Sequence, residues 1–111
     1  MFLIFSIYYI RWLILKSKIS VSDLIPIINQ VNIIDIRSIQ SYNNNHIPNS
    51  VNIPFDKLIL NPDQYLNKKG IYYIYCQKGL SSGSVCKILN NLGYKIIEID
   101  GGYENWIMNV K

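Results

Sequence analysis

Tyr72-Tyr73-Ile74-Tyr75-Cys76-Gln77-Lys78-Gly79-Leu80-Ser81-Ser82 is the stretch that decides how this chain folds. Ile71 to Tyr75 is apolar or aromatic on both faces of a period-2 pattern, as in a central strand of a covered parallel sheet. A tight loop beginning with a cysteine follows, and then a helical pattern opening on serines. Val85, Ile88, Leu89 and Leu92 fall at i, i+3, i+4 and i+7, which predicts them as the buried face of that helix. Gly93 supplies its left-handed cap. Cys76 therefore stands at the carboxyl end of a strand, the edge where open α/β sheets place their ligands. Gly79 lets the backbone turn back toward the sulfur. Loop amides and the helix start then form a small pocket that favours negative charge, and a thiolate is the anion already present.

Outward from this stretch, strands and helices alternate. Lys18-Ile19 reads as a brief edge strand. Ser20 with Asp23 three residues on is a capping-box pattern, and Leu24, Ile25, Ile27 and Ile28 are expected to be buried. Pro26 removes a backbone donor, so the helix there is predicted to be short or bent. Val31–Ile36 and Ser50–Ile53 are further strands. Between them Ser38–Asn45 is a short helical turn with Tyr42 inward. Phe55–Leu60 and Pro62–Leu66 carry helical content broken at Asn61-Pro62. Lys68-Lys69-Gly70 is a solvated turn, Lys95–Ile99 a last strand, and Tyr103–Val110 a closing helix anchored by Trp106 and Ile107. This alternation argues a parallel α/β sheet covered on both faces.

With 111 residues, half of them hydrophobic and 16% charged, the chain has room for one domain with one core, and disorder is excluded. The net charge of +4 does not indicate nucleic-acid binding, because the lysines are scattered and no basic stripe interleaved with aromatics occurs. Two cysteines are too few for a disulfide framework and fit a reducing compartment.

Residues 1–16 form a hydrophobic segment ahead of the domain at 17–111. Phe2 to Ile10 is nearly all apolar, Arg11 interrupts, and Trp12 to Leu15 resumes. The run is shorter than a spanning helix requires and lacks a cleavage site. Two readings stay open. One is membrane contact through residues 1–15, with Arg11, Lys16 and Lys18 holding the domain on the cytoplasmic face of the membrane; the other is an extra element packed on the domain.

Four segments in order resemble the rhodanese-like sulfurtransferase domains. Cys76-Gln77-Lys78-Gly79-Leu80-Ser81 is similar to the family's six-residue active loop, and Ile33-Ile34-Asp35-Ile36-Arg37 to its strand ending in Asp-x-Arg. His46-Ile47-Pro48-Asn49-Ser50-Val51 resembles its His-Ile-Pro-Gly-Ala segment, with Asn49 where Gly is usual. Asp100-Gly101-Gly102-Tyr103-Glu104-Asn105-Trp106 resembles its closing Gly-Gly-x-x-x-Trp. The resemblance implies a three-layer α/β/α sandwich with a five-stranded parallel sheet, acting as a monomer in the cytoplasm without metal or cofactor. It implies that Cys76 carries a persulfide, taking sulfur from thiosulfate or a related donor and passing it to a thiol or cyanide. Gln77, Lys78, Gly79, Leu80, Ser81 and Ser82 would form the loop that binds it. Asp35 and Arg37 would support that loop, and His46 would be a structural residue of its turn.

Leu80 and Ser81 depart from members with an arginine in the loop, which leaves one cation fewer for an anionic donor. Cys86 is expected to be an ordinary buried hydrophobe. Two alternatives remain: a non-enzymatic sulfur-carrier module using the same cysteine, and a phosphatase or arsenate reductase. Loops of the latter kind are one residue longer and carry an arginine, and this loop has neither feature.

Overall fold

Alternate residues of each strand face opposite ways, and in this chain both sets are apolar, so the sheet needs cover on both sides. The computed structural model describes residues 17–110; the hydrophobic segment and the reading of residues 1–15 as a membrane contact lie outside them. Among the described residues no helix is long and apolar enough to cross a membrane. The strands are β1 (Lys18–Ile19), β2 (Asn32–Asp35), β3 (Ser50–Asn52), β4 (Ile71–Tyr75) and β5 (Lys95–Ile99). The helices are α1 (Val21–Leu24), α2 (Ile39–Asn44), α3 (Phe55–Leu60), α4 (Leu80–Asn91) and α5 (Gly102–Val110), with 3-10 turns at Ile25–Ile27 and Pro62–Gln64.

The sheet has five strands in the order β1-β5-β4-β2-β3, all parallel. Leu58, Ile34, Ile74, Val85, Leu89 and Ile96 pack on the face covered by α3 and α4. Val21, Leu24, Ile33, Tyr75, Ile99, Tyr103 and Trp106 pack on the face covered by α1 and α5. Neighbours such as Ile33 and Ile34, or Ile74 and Tyr75, thus feed opposite cores. The predicted three-layer α/β/α architecture is the one observed.

The order also fixes where a site can form. The chain leaves β2 toward β3 on one side and leaves β4 toward β5 on the other. The crevice between the carboxyl ends of β2 and β4 is therefore the topological switch point of the sheet.

Two expectations about helix faces are corrected. In α4 the buried residues are Ser82, Val85, Cys86 and Leu89, while Ile88 and Leu92 are 43% and 51% exposed. The loop forces Ser82 toward the Cys76 sulfur, and that phase carries the next two turns inward through Val85, Cys86 and Leu89. In the first helix Leu24 is buried and Ile27 and Ile28 are partly buried, but Ile25 is exposed. Ser20 caps α1 by accepting from the Asp23 amide at 3.1 Å. Pro26 then converts the continuation to a 3-10 turn, whose three-residue period keeps Val21, Leu24 and Ile27 in line and turns Ile25 out.

Candidate active site

Cys76 directly follows β4, and Gly79 adopts φ 86 before α4 begins. That left-handed step closes the loop on the sulfur. The Gly79 amide donates to Cys76 Sγ at 3.1 Å and the Ser82 amide at 3.4 Å. The Ser82 hydroxyl lies 3.4 Å from the same sulfur and is fully buried. As a thiol, Cys76 donates to that oxygen; once ionised, the hydroxyl can turn and donate to the sulfur instead. Burial pushes the Cys76 thiol up, but the Ser82 hydroxyl and the amides of Ser82, Gly79 and Ser81 outweigh it, leaving the thiol below its ordinary value.

The start of α5 grips the loop from beneath. The Tyr103 amide donates to the Cys76 carbonyl at 2.8 Å and the Glu104 amide to the Gln77 carbonyl at 3.0 Å. This contact requires a glycine. Gly102 has φ 64, and a Cβ on it would collide with the Cys76 carbonyl and lie 2.9 Å from the carbonyl carbon of Gln77. Gly79 is crowded from the same side, since a Cβ there would sit 3.3 Å from the Gly101 nitrogen.

Asp35 and Arg37 stand across the crevice at the end of β2. Arg37 Nε donates to both Asp35 oxygens, at 3.1 and 3.0 Å, and Nη2 donates to Oδ2 at 2.7 Å. Nη2 also donates to the Asn45 carbonyl at 2.6 Å, and Nη1 to Gln77 Oε1 at 3.0 Å. Gln77 is the residue after Cys76, so the guanidinium braces the loop without contacting the sulfur. Burial lowers the Arg37 pKa, and the hydrogen bonds and charge of Asp35 more than offset it, so the group stays cationic. Its ring-side neighbour is Tyr103, 4.2 Å from the guanidinium carbon.

A family model described as a rhodanese-like domain matches residues 20–109. The chain belongs to this family. The tRNA sulfurtransferase of Thermoplasma acidophilum is 38% identical over 79 residues, covering 71% of this chain and 15% of that protein. The chain therefore spans a small part of the length of that relative. Thiosulfate sulfurtransferase GlpE of Coxiella burnetii is 33% identical over 75 residues, covering 67% of this chain and 69% of its own. The crystal structure of a rhodanese-related protein from Thermoplasma volcanium superposes with a TM-score of 0.77 at 28% identity, covering 84% of this chain and 92% of that one.

In this rhodanese-like domain seven of the nine site residues singled out from sequence fall into two groups. Cys76, Gly79, Ser81 and Ser82 converge on the sulfur, and Asp35, Arg37 and Gln77 form the brace. Lys78 and Leu80 point outward, with Leu80 79% exposed. Asn49 takes φ 71 where the family has glycine, and its side chain donates to the carbonyls of Ile28 and Val31. His46 stacks on Tyr42 at 3.8 Å with Nδ1 2.8 Å from the Tyr42 carbonyl, which makes it part of the turn. Cys86 is buried beside Cys76 in one core cluster; burial, then the Glu98 charge and Cys76, raise its thiol to about 12. Sequence reasoning missed Tyr75. Its hydroxyl donates to Asp35 Oδ2 at 2.6 Å and lies 3.1 Å from both the Ile47 amide and Ser50 Oγ. As a strand residue it read only as apolar, and nothing local marked its hydroxyl as part of the brace.

Proposed function

We propose that the protein is a sulfurtransferase in which Cys76 carries sulfur as a persulfide. The observation that carries this reading is the amide cradle. Gly79 and Ser82 aim N–H groups at one sulfur, and among the described residues only these amides and the Ser82 hydroxyl hydrogen-bond to it, with no acid or base. A thiolate held this way is a nucleophile that needs no general base. It attacks the outer sulfur of a sulfane donor such as thiosulfate; the donor S–S bond breaks, sulfite leaves with the electron pair, and a Cys76–sulfur bond forms. The outer sulfur then bears the negative charge within reach of the same amides and the Ser82 hydroxyl. An acceptor thiolate or cyanide attacks that outer sulfur and releases Cys76 as a thiolate. Asp35, Arg37 and Gln77 keep the loop in place through both steps.

Turnover tests the reading. Supplied with sulfane donors and cyanide, the protein should form thiocyanate, and Cys76→Ser should abolish this while Cys86→Ser retains it. Persulfide formation without turnover would make the protein a sulfur carrier. Phosphate release from a generic phosphoester that depends on Cys76 would overturn the sulfur-transfer reading.

A further inference from the structure

The parallel strands β4, β2 and β3 lie side by side and end on the edge of the sheet that carries Cys76, and the helix after each begins with a large apolar residue in water. Ile39 opens α2, Phe55 opens α3 and Leu80 opens α4. They are 55%, 51% and 79% exposed. The parallel order β4-β2-β3 puts all three on the carboxyl edge, the edge that carries the sulfur cradle.

Charge on this edge does not suit a dianion. Lys78 is the one ionisable side chain from Gln77 to Val85, and it is exposed. Arg37 is committed to Asp35, Asn45 and Gln77. The turn packed under Gly79 adds Asp100 and Glu104, both exposed, and no cation, while Asp56 and Lys57 beside Phe55 in α3 are of opposite sign and offset each other. A tetrahedral oxyanion is ordinarily held by a forked guanidinium, and among the described residues none is available here.

We propose that the donor is a small organic persulfide with an apolar carrying group, seated on Ile39, Phe55 and Leu80, rather than thiosulfate. This rests on the sulfurtransferase reading and narrows its substrate class. The Cys76 thiolate attacks the outer sulfur of R–S–SH; the donor S–S bond breaks, R–S⁻ leaves with the electron pair, and Cys76–S–SH forms. The amide cradle takes the single charge, and the apolar rim covers the R group, removing its surface and the rim's from water.

Single-turnover sulfur loading of the full chain, followed by intact mass, tests this with three donors: thiosulfate, benzyl hydropersulfide and methyl hydropersulfide. The methyl donor controls for the intrinsic reactivity of the S–S bond. Benzyl should load faster than methyl by on the order of ten-fold, the value of one well-filled apolar contact. Phe55→Ser with Ile39→Ser should bring that ratio toward one, and Leu80→Arg should raise thiosulfate loading by up to about five-fold, the value of one exposed charge pair. Equal loading by benzyl and methyl donors, or thiosulfate loading faster than either, would overturn the rim proposal while leaving sulfur transfer standing. Loading by none of the three would overturn the sulfurtransferase reading itself, and the rim proposal with it.

Discussion

Cys76 is the residue on which the proposed sulfur transfer turns, and its environment sets a pH dependence. Its thiol sits below the ordinary thiol value because the Ser82 and Gly79 donors outweigh burial. The thiolate, and with it alkylation by iodoacetamide, should therefore appear at lower pH than in a free cysteine, with Ser82→Ala moving the midpoint up. The sign for stability follows. A depressed folded value contributes stability that is complete above the unfolded thiol value, about 8.5, and is lost as pH falls through the folded one. An alkylation midpoint at or above that of a free thiol would contradict the cradle. At the same scale, Arg37 and Asp35 side chains are 6% and 0% exposed, so screening does not weaken them. Arg37→Ala should cost on the order of 3 kcal/mol in denaturant unfolding, because it strands a buried carboxylate. Arg37→Lys should recover only part of this, since an ammonium cannot bridge Asp35, Asn45 and Gln77 in one plane. Loss of sulfur loading with unchanged unfolding would instead make Arg37 a substrate ligand. These residues were legible in the sequence through the segments that resemble the rhodanese-like family. Tyr75 was not, because a tyrosine inside a strand gives no sign of where its hydroxyl ends.

Among the elements, the loop is held between two helices, α4 above and α5 below, and the α5 contact depends on Gly102. Gly102→Ala should cost about 1–3 kcal/mol from the left-handed backbone alone, and more from the clash with the Cys76 carbonyl. It should also slow sulfur loading, because the displaced carbonyl belongs to Cys76, the proposed nucleophile. A variant with unchanged melting would show that α5 does not grip the loop. Element boundaries read well from sequence where both strand faces are apolar, as in β4 and β5, or where Ser20 and Ser38 cap a helix. The face of α4 did not. Ile88 and Leu92 outweigh Ser82 and Cys86 in any apolar pattern, yet the sulfur contact of Ser82 sets the helix phase.

In the whole molecule, the strand order creates the switch point and brings the end of β2 to the end of β4, forty residues away in sequence by the Arg37–Gln77 bond. No local pattern carries that juxtaposition; the alternation of strands and helices told of a parallel sheet but not of its order. In the proposed sulfur transfer, this arrangement makes Cys76 the carrier of the transferred sulfur. The most direct measurement is intact mass of the protein after exposure to sulfane donors, repeated on Cys76→Ser and Cys86→Ser. One added sulfur, removed by cyanide or dithiothreitol, should appear in the native chain and in Cys86→Ser and be absent from Cys76→Ser. An adduct that persists in Cys76→Ser, or none in the native chain with any donor, would contradict the account.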